Sequence, residues 1–209
     1  MYILGLTGSI GMGKTTAAAT FRQYGVAVYD ADASVHQLMG PKGKALGPVQ
    51  KAFPDVVKND HIDRKALGSV VYNDKKALAR LEAILHPLAQ DIQLGFLRQC
   101  AKSRKKLVVL DIPLLFENKI DKSFDAVAVV TAPHYMQRTR VLQRPGMTLE
   151  RFTRIVEHQW PDLEKRKHAD FIIQTGLGRH HSLLCIRNII NITQNRRGRC
   201  WPVQRVNNA

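Results

Sequence analysis

The sequence has few cysteines, few aromatic side chains and no long apolar run. Its three cysteines are scattered, which argues against a disulfide framework or a zinc ribbon and favours a reducing compartment. No apolar run reaches the roughly 18 residues that a membrane helix needs. The first six residues lack a basic flank and a cleavage site, so they predict a buried strand and not a signal peptide. We therefore expect a cytoplasmic protein with no membrane contact.

Acidic residues are also scarce, and after Asp170 there are none. The 209 residues include 32 Lys and Arg against 17 Asp and Glu, a formal net charge of +15. Such a charge predicts a polyanionic partner: nucleic acid, an acidic membrane surface or a phosphorylated small molecule. Nucleic-acid readers usually interleave aromatic and basic residues, and aromatics are only 7% here. A nucleic-acid partner is therefore not expected.

Hydrophobic residues make up 44% of the chain and charged residues 23%, which suits one medium-sized globular domain. Short apolar runs, several of them without polar alternation, predict strands buried on both faces, as in a parallel sheet covered by helices. We predict a doubly wound α/β core built from residues 1–32, 105–132 and 169–195. The runs are residues 2–7, 26–29, 107–110, 126–130 and 171–173.

A long interval, residues 33–104, separates the second predicted strand from the third. Its pattern is helical: Asp74 can cap a helix over Lys75–Leu85, and Pro87 follows as a helix end. We predict an inserted helical subdomain.

A second interval, residues 133–168, is rich in Arg, Lys, His and Gln. Pro145-Gly146 breaks it, and Thr148 is predicted to cap the next helix. This pattern predicts a helical hairpin at the edge of the sheet. The basic tail, 196–209, has no hydrophobic period and is expected to be frayed.

The strongest motif is a phosphate loop. The stretch GSIGMGKT, residues 8–15, fits G-x-x-x-x-G-K-[ST] between a predicted strand and a predicted helix over Thr16–Gln23. Backbone N–H groups and the helix N-terminus would surround phosphate oxygens. Lys14 would reach the β- and γ-phosphates of ATP, and the Thr15 hydroxyl would bind Mg²⁺. The predicted nucleotide contacts in this stretch are Gly11, Met12, Gly13, Lys14, Thr15 and Thr16.

A phosphate loop alone does not choose among kinase, GTPase and motor, so the residues around it matter. Asp32 follows the second strand, where it could accept a proton from an attacking hydroxyl, orient Mg²⁺ through water, or only cap the next helix. Arg140 and Arg144 are four residues apart and would share a helix face. They form either a solvated basic face or a lid that neutralises the transferred phosphoryl group.

Several motifs occur together in one order, from about residue 2 to about Gly178. In that order the sequence resembles the dephospho-CoA kinases, P-loop kinases of coenzyme A synthesis. The motifs are Thr7–Thr15, Asp30-Ala31-Asp32, Leu85-His86-Pro87, Pro113–Glu117, Gln137 with Arg140, Arg144–Thr148, Gln159 and Ala169–Ile173.

The resemblance implies a P-loop fold with a helical CoA-binding subdomain and a lid. It implies transfer of the ATP γ-phosphoryl group to the 3′-hydroxyl of dephospho-CoA with Mg²⁺. Separately, we expect the protein to be a monomer. Lys14, Asp32 and Arg140 would be catalytic, Arg140 staying solvated until the lid closes, and Arg144 would contact the nucleotide. The acceptor would contact Asp32, His86, Pro87, Leu114 and Glu117.

The alternatives are a P-loop kinase for another nucleotide or small metabolite and, less favoured, a nucleic-acid-binding NTPase. Two features depart from the family pattern. Gln174-Thr175 stand where many members have Asp-Asn, and the basic tail lies outside the pattern. Asp111 follows the third strand like a Walker-B acid, although the family does not depend on an acid there.

Overall fold

The structure is a computed structural model that describes residues 1–58, 60–72 and 74–202. The strands are β1 (Tyr2–Thr7), β2 (Ala27–Asp30), β3 (Val57–Lys58), β4 (His61–Ile62), β5 (Leu107–Asp111), β6 (Ala126–Thr131) and β7 (Phe171–Gln174). The α-helices are α1 (Lys14–Gln23), α2 (Ala31–Leu38), α3 (Leu46–Ala52), α4 (Arg64–Tyr72), α5 (Lys75–Lys102), α6 (His134–Leu142), α7 (Leu149–Glu157), α8 (Asp162–Lys167) and α9 (Arg179–Thr193). None of these helices combines the length and apolar character needed to cross a lipid bilayer.

Five strands form a sheet in the order β2-β5-β1-β6-β7. Strand β1 pairs in parallel with β5 and β6, and β6 pairs in parallel with β7. Every residue of β1, β5 and β6 is buried, as strands without polar alternation require. The predicted α/β class and parallel sheet are confirmed. Each predicted run is a strand whose ends differ from the prediction by at most one residue.

The main core lies between the sheet and two helices. Leu4 and Leu6 of β1 pack with Phe21 of α1 and Ile186 of α9, and all four side chains are almost fully buried. Because α1 directly follows the phosphate loop, this core holds the end of the loop firmly against the sheet. The three cysteines are free, as the sequence predicts.

The chain divides into two compact units, one formed by Met1–Tyr29 with the chain from Cys100 onward, the other by Asp30–Gln99. The sequence places the insertion at residues 33–104, close to the second unit. This unit has its own core, which includes Val49, Phe53, Ile62 and Leu67. It also contains an antiparallel β3–β4 hairpin that the sequence analysis does not predict, because strands of two residues carry no period.

Helix α5 is longer than predicted. Asp74 caps it as expected, since its Oδ1 accepts the N–H groups of Lys76 and Ala77 at 2.8 and 3.1 Å. The helix end predicted at Pro87 is wrong, because the helix continues through that residue to Lys102. A proline removes one helical hydrogen bond. Apolar side chains on both sides of Pro87, among them Leu88, pack on the core of the second unit and favour continuation.

The second interval folds as helices α6, α7 and α8. The break at Pro145-Gly146 is confirmed, and Thr148 caps α7 by accepting the N–H of Arg151 at 3.2 Å. Helix α6 ends at Leu142. The prediction that Arg140 and Arg144 share a helix face is therefore wrong, because Arg144 lies in the turn after the helix.

The tail is not free where the structure describes it. Oδ1 of Asp125 accepts the N–H groups of Arg199 and Cys200, and its Oδ2 accepts the N–H of Ile3 at 2.7 Å. Burial, and then the Asp125 carboxylate, raises the pKa of the Cys200 thiol. The expectation of fraying is wrong for these residues, since backbone donors need no hydrophobic period. Residues 203–209 of the predicted tail lie outside the described residues.

Candidate active site

The loop between β1 and α1 has the backbone of a phosphate-binding loop. Gly11 and Gly13 have φ angles of 75° and 96°, in the left-handed region that favours glycine. A Cβ at Gly11 would also lie 2.5 Å from Cγ2 of Val141. Gly13 is the N-cap of α1, and among the described residues no side chain caps this helix. The N–H groups of its first turn therefore face an anion-binding position.

Three consecutive carbonyl groups of the loop are bound from outside. The Ile10 carbonyl accepts from Nε2 of Gln137 at 2.9 Å, and the Met12 carbonyl accepts from Oγ1 of Thr175 at 2.6 Å. The Gly11 carbonyl lies 3.5 Å from a guanidinium nitrogen of Arg140. Because these carbonyls face protein donors, they do not face a bound phosphate, which would be repelled by them.

Lys14, the first residue of α1, forms an ion pair with Asp111. Asp111 ends β5, opposite Leu6 of β1, and is only 3% exposed. The pair places one ammonium and one carboxylate at the carboxyl edge of the sheet, beside the loop. Ligands of open α/β sheets bind at this edge.

Arg140 is half-buried and is hydrogen-bonded within the protein. Its guanidinium donates to Oγ1 and to the carbonyl oxygen of Thr175, at 3.1 and 3.2 Å. Its guanidinium is therefore only partly solvated, which differs from the expected fully solvated arginine, because the β7–α9 connection supplies two acceptors. Arg144, in contrast, lies exposed in the turn after α6.

Glu117, predicted to contact the acceptor, is engaged within the protein. Its Oε1 accepts the backbone N–H of Trp160 at 2.8 Å and lies 2.8 Å from Nζ of Lys165, which is fully buried. Phe116 stacks on Trp160 with ring centroids 5.8 Å apart. Glu117 thus has a packing role that the sequence pattern does not predict. Leu114, in the same segment, is 40% exposed.

The remaining predicted site residues belong to the second unit. Oδ1 of Asp30 accepts the N–H of Ala33 at 2.9 Å, so Asp30 and not Asp32 caps α2. The helix-cap alternative for Asp32 is wrong, and Asp32 lies exposed in the first turn. His86 and Pro87 are exposed on α5. The roles of these three residues in acceptor binding stay predictions.

An open cleft of about 350 Å³ lies at the carboxyl ends of β6 and β7. Asp162 fixes one wall, since its Oδ2 accepts from Oγ1 of Thr131 at 2.7 Å. The cleft adjoins Thr175, which binds the loop carbonyl of Met12. Its lining includes Thr131, Pro133, Asp162, Gln174, Gly176 and Leu177.

Residues 2–178 match the family described as dephospho-CoA kinase. This chain belongs to the dephospho-CoA kinase family. A curated dephospho-CoA kinase of Rhodospirillum rubrum is 50% identical over 201 residues, which are 95% of this chain and 94% of the relative. One of Paramagnetospirillum magneticum is 54% identical over 166 residues, 79% and 78% of the two chains.

Solved structures agree with this membership. A dephospho-CoA kinase from Campylobacter jejuni has a TM-score of 0.70 at 28% identity and covers 92% of this chain and 97% of its own. A protein from Thermus thermophilus has a TM-score of 0.81 at 30% identity, covering 91% and 96%. The family resemblance seen in the motifs is confirmed, including its end at residue 178.

Proposed function

We propose that this chain transfers the γ-phosphoryl group of ATP to the 3′-hydroxyl of dephospho-CoA, which yields CoA and ADP. One observation carries the proposal. In a member of the dephospho-CoA kinase family, the carbonyl groups of the phosphate loop accept hydrogen bonds from side chains outside the loop. This geometry supports binding of a nucleotide triphosphate, and the family membership supports the acceptor.

ATP would bind along the carboxyl edge of the sheet. The loop from Gly11 to Gly13 and the first turn of α1, from Lys14 to Thr16, would supply N–H groups to the β- and γ-phosphates. Lys14 would exchange its ion pair with Asp111 for the phosphates. The cleft beside Thr175 would hold the adenine base, because it combines apolar walls with polar groups at Thr131 and Gln174.

Mg²⁺ fits the oxygen donors beside the loop. The Thr15 hydroxyl would bind the ion, and the Asp111 carboxylate, next to Lys14, would hold it directly or through water. In the ranges that the structure describes, no three His, Cys, Asp or Glu side chains form a metal cluster. Mg²⁺ at a nucleotide site needs no such cluster, since phosphates and waters complete its shell. The ion would supply positive charge to the phosphates.

Asp32 would act as the general base. Its carboxylate would take the proton of the acceptor 3′-hydroxyl while the new O–P bond forms and the bond to the β-phosphate oxygen breaks. The cap role belongs to Asp30, so the Asp32 carboxylate is not needed for that bond. Arg140 and Arg144 would add positive charge as the phosphoryl group moves.

Each compact unit carries residues that we propose to contact the acceptor. His86 and Pro87 on α5 and Leu114 are exposed and could contact CoA. The Glu117 carboxylate forms an ion pair with Lys165. We propose that Glu117 both stabilises the segment after β5 and contacts the acceptor.

We further propose a monomeric, cytoplasmic enzyme. One chain supplies the loop, the three side chains that donate to its carbonyl groups, and Asp111. The proposed phosphate site therefore needs no second copy. Free thiols are typical of a reducing compartment.

The test is coupled ADP release with Mg²⁺ and a panel of acceptors: dephospho-CoA, AMP, CMP, shikimate and pantetheine derivatives. Dephospho-CoA is expected to support turnover and the others are not. Turnover with another acceptor and none with dephospho-CoA would contradict the proposal and favour a different small-molecule kinase. Thermal stabilisation by an oligonucleotide, with none by dephospho-CoA plus an ATP analogue, would favour the nucleic-acid alternative.

A further inference from the structure

Two glutamine side chains bind the backbone of one residue in the phosphate loop. The N–H of Ile10 donates to Oε1 of Gln159 at 3.0 Å, and the carbonyl of Ile10 accepts from Nε2 of Gln137 at 2.9 Å. Because both partners are backbone groups of known polarity, the orientation of each amide follows: Gln159 presents its oxygen and Gln137 presents its nitrogen.

Gln137 is a buried polar residue whose side chain donates to the phosphate loop. It lies on α6 with only 3% of its surface exposed. Burying an amide costs free energy unless the group is hydrogen-bonded. The bond to Ile10 satisfies one Gln137 donor, and the same bond fixes the distance between α6 and the loop.

Gln159 lies in a turn after α7 whose neighbouring residues are well packed. The next residue, Trp160, donates its N–H to Glu117 and stacks on Phe116. Lys165, fully buried, pairs with the same Glu117 carboxylate. This packing explains why the segment after α7 can place an amide oxygen on a loop 149 positions away in the chain.

We propose that Gln137 and Gln159 are positioning residues for the phosphate loop. They hold the backbone of Ile10 from its N–H side and its carbonyl side, and so keep the loop in its phosphate-binding shape before nucleotide arrives. A loop ordered in advance loses less conformational entropy on binding. Neither side chain touches phosphate in this role. The inference rests on the proposed ATP-binding function of the loop.

The test replaces each glutamine with methionine, which has a similar length and no amide. Gln137→Met and Gln159→Met are each expected to raise the Kd of a non-hydrolysable ATP analogue with Mg²⁺ about tenfold, since a buried hydrogen-bond partner is lost. The KM for dephospho-CoA at saturating ATP should change by less than about twofold. Gln143→Met is the matched control, because Gln143 is exposed at the end of α6, and it should leave both constants unchanged.

The glutamate variants test the direction of each bond. A carboxylate at 159 still accepts the Ile10 N–H, so Gln159→Glu should keep the melting temperature of the free protein. A carboxylate at 137 cannot donate and would face the Ile10 carbonyl, so Gln137→Glu should lower it. Equal melting temperatures for the two variants would contradict the assigned polarity.

Hydrogen exchange on the wild-type chain keeps the proposal testable if a variant fails to fold. The Ile10 amide should be protected in the nucleotide-free protein, unlike the amide of exposed Gly146. Equal exchange rates, or unchanged analogue affinity in folded Gln137→Met and Gln159→Met, would overturn the inference. Failure of the proposed function looks different: the wild type would bind the ATP analogue without phosphorylating dephospho-CoA.

Discussion

Backbone N–H groups cluster at both ends of the parallel sheet, but they have different surroundings. At the amino end, the Asp125 carboxylate accepts three backbone N–H groups, from Ile3, Arg199 and Cys200. At the carboxyl end, the first turn of α1 has no side-chain cap among the described residues, and the loop before it turns its carbonyls outward.

At the amino end, the anion that accepts the backbone N–H groups is a side chain of the protein. At the carboxyl end, the proposed anion is a phosphate of the substrate. The interaction with Asp125 contributes to folding stability, because it is complete without a ligand. The N–H groups of the loop are proposed to bind the phosphates of ATP. Changes at the amino end should therefore move the melting temperature, and changes at the carboxyl end should move kinetic constants.

The largest effect is expected at Lys14. Lys14→Ala should abolish ATP turnover, because the charge proposed to neutralise the β- and γ-phosphates is lost. It should also lower the melting temperature, since the buried Asp111 loses its counter-ion. The double variant Lys14→Ala with Asp111→Asn should regain melting temperature without regaining activity. Full turnover in a folded Lys14→Ala protein would end the phosphate-loop interpretation.

Asp32→Asn should lower kcat by roughly 10²–10⁴-fold, the usual value of a general base. The KM for dephospho-CoA should rise far less, since the interaction grows in the transition state. The melting temperature should stay near that of wild type. Asp30→Ala is the stability control, because it removes the observed cap and should cost about 1 kcal/mol. An unchanged kcat in Asp32→Asn would contradict the assignment.

Arg140 is expected to depart from this separation, because it is proposed to be catalytic and is also hydrogen-bonded within the protein. Arg140→Ala should reduce kcat about tenfold or more, and it should also lower the melting temperature of the free protein, because three bonds to Thr175 and Gly11 are lost. Arg144→Ala should leave the melting temperature unchanged, since that side chain is exposed. If Arg140→Ala keeps more than about a third of the wild-type kcat, the catalytic role moves to Arg144.

At the amino end, Asp125→Ala should change stability alone. Three N–H groups lose their acceptor, a loss of about 1–3 kcal/mol that corresponds to roughly 2–12 °C in melting temperature for a chain of this size. The kcat and the KM for ATP should stay within about twofold of wild type. Thermal unfolding and steady-state kinetics on the same preparation test this prediction. A loss of kcat with an unchanged melting temperature would contradict the stabilising role of the amino end.

The smallest effect is expected from truncation after Asn195. It removes the N–H groups of Arg199 and Cys200 and should lower the melting temperature by about 2–4 °C. The same truncation in the Asp125→Ala background should cost less, because the shared bonds are already absent. Additive losses would show that the segment stabilises the protein through other contacts.

Local sequence determined the elements that depend on neighbouring residues. The short apolar runs predict the five strands of the sheet. In β1, β5 and β6, burial on both faces leaves no place for polar alternation. Gly11, Gly13 and Lys14 predict the phosphate loop, since the required backbone angles and charge lie within eight residues. The Asp74 and Thr148 caps follow the same local logic.

Only the tertiary structure decided the contacts between distant residues. Nothing near Arg140 in the chain indicates that Thr175 will bind it, and nothing near Ile10 indicates Gln159. The pairing of Glu117 with Lys165, and of Asp125 with the tail, likewise depends on which elements the sheet order brings together. The residue type determines which hydrogen bonds a side chain can form, but the packing of the fold determines which partner lies within reach.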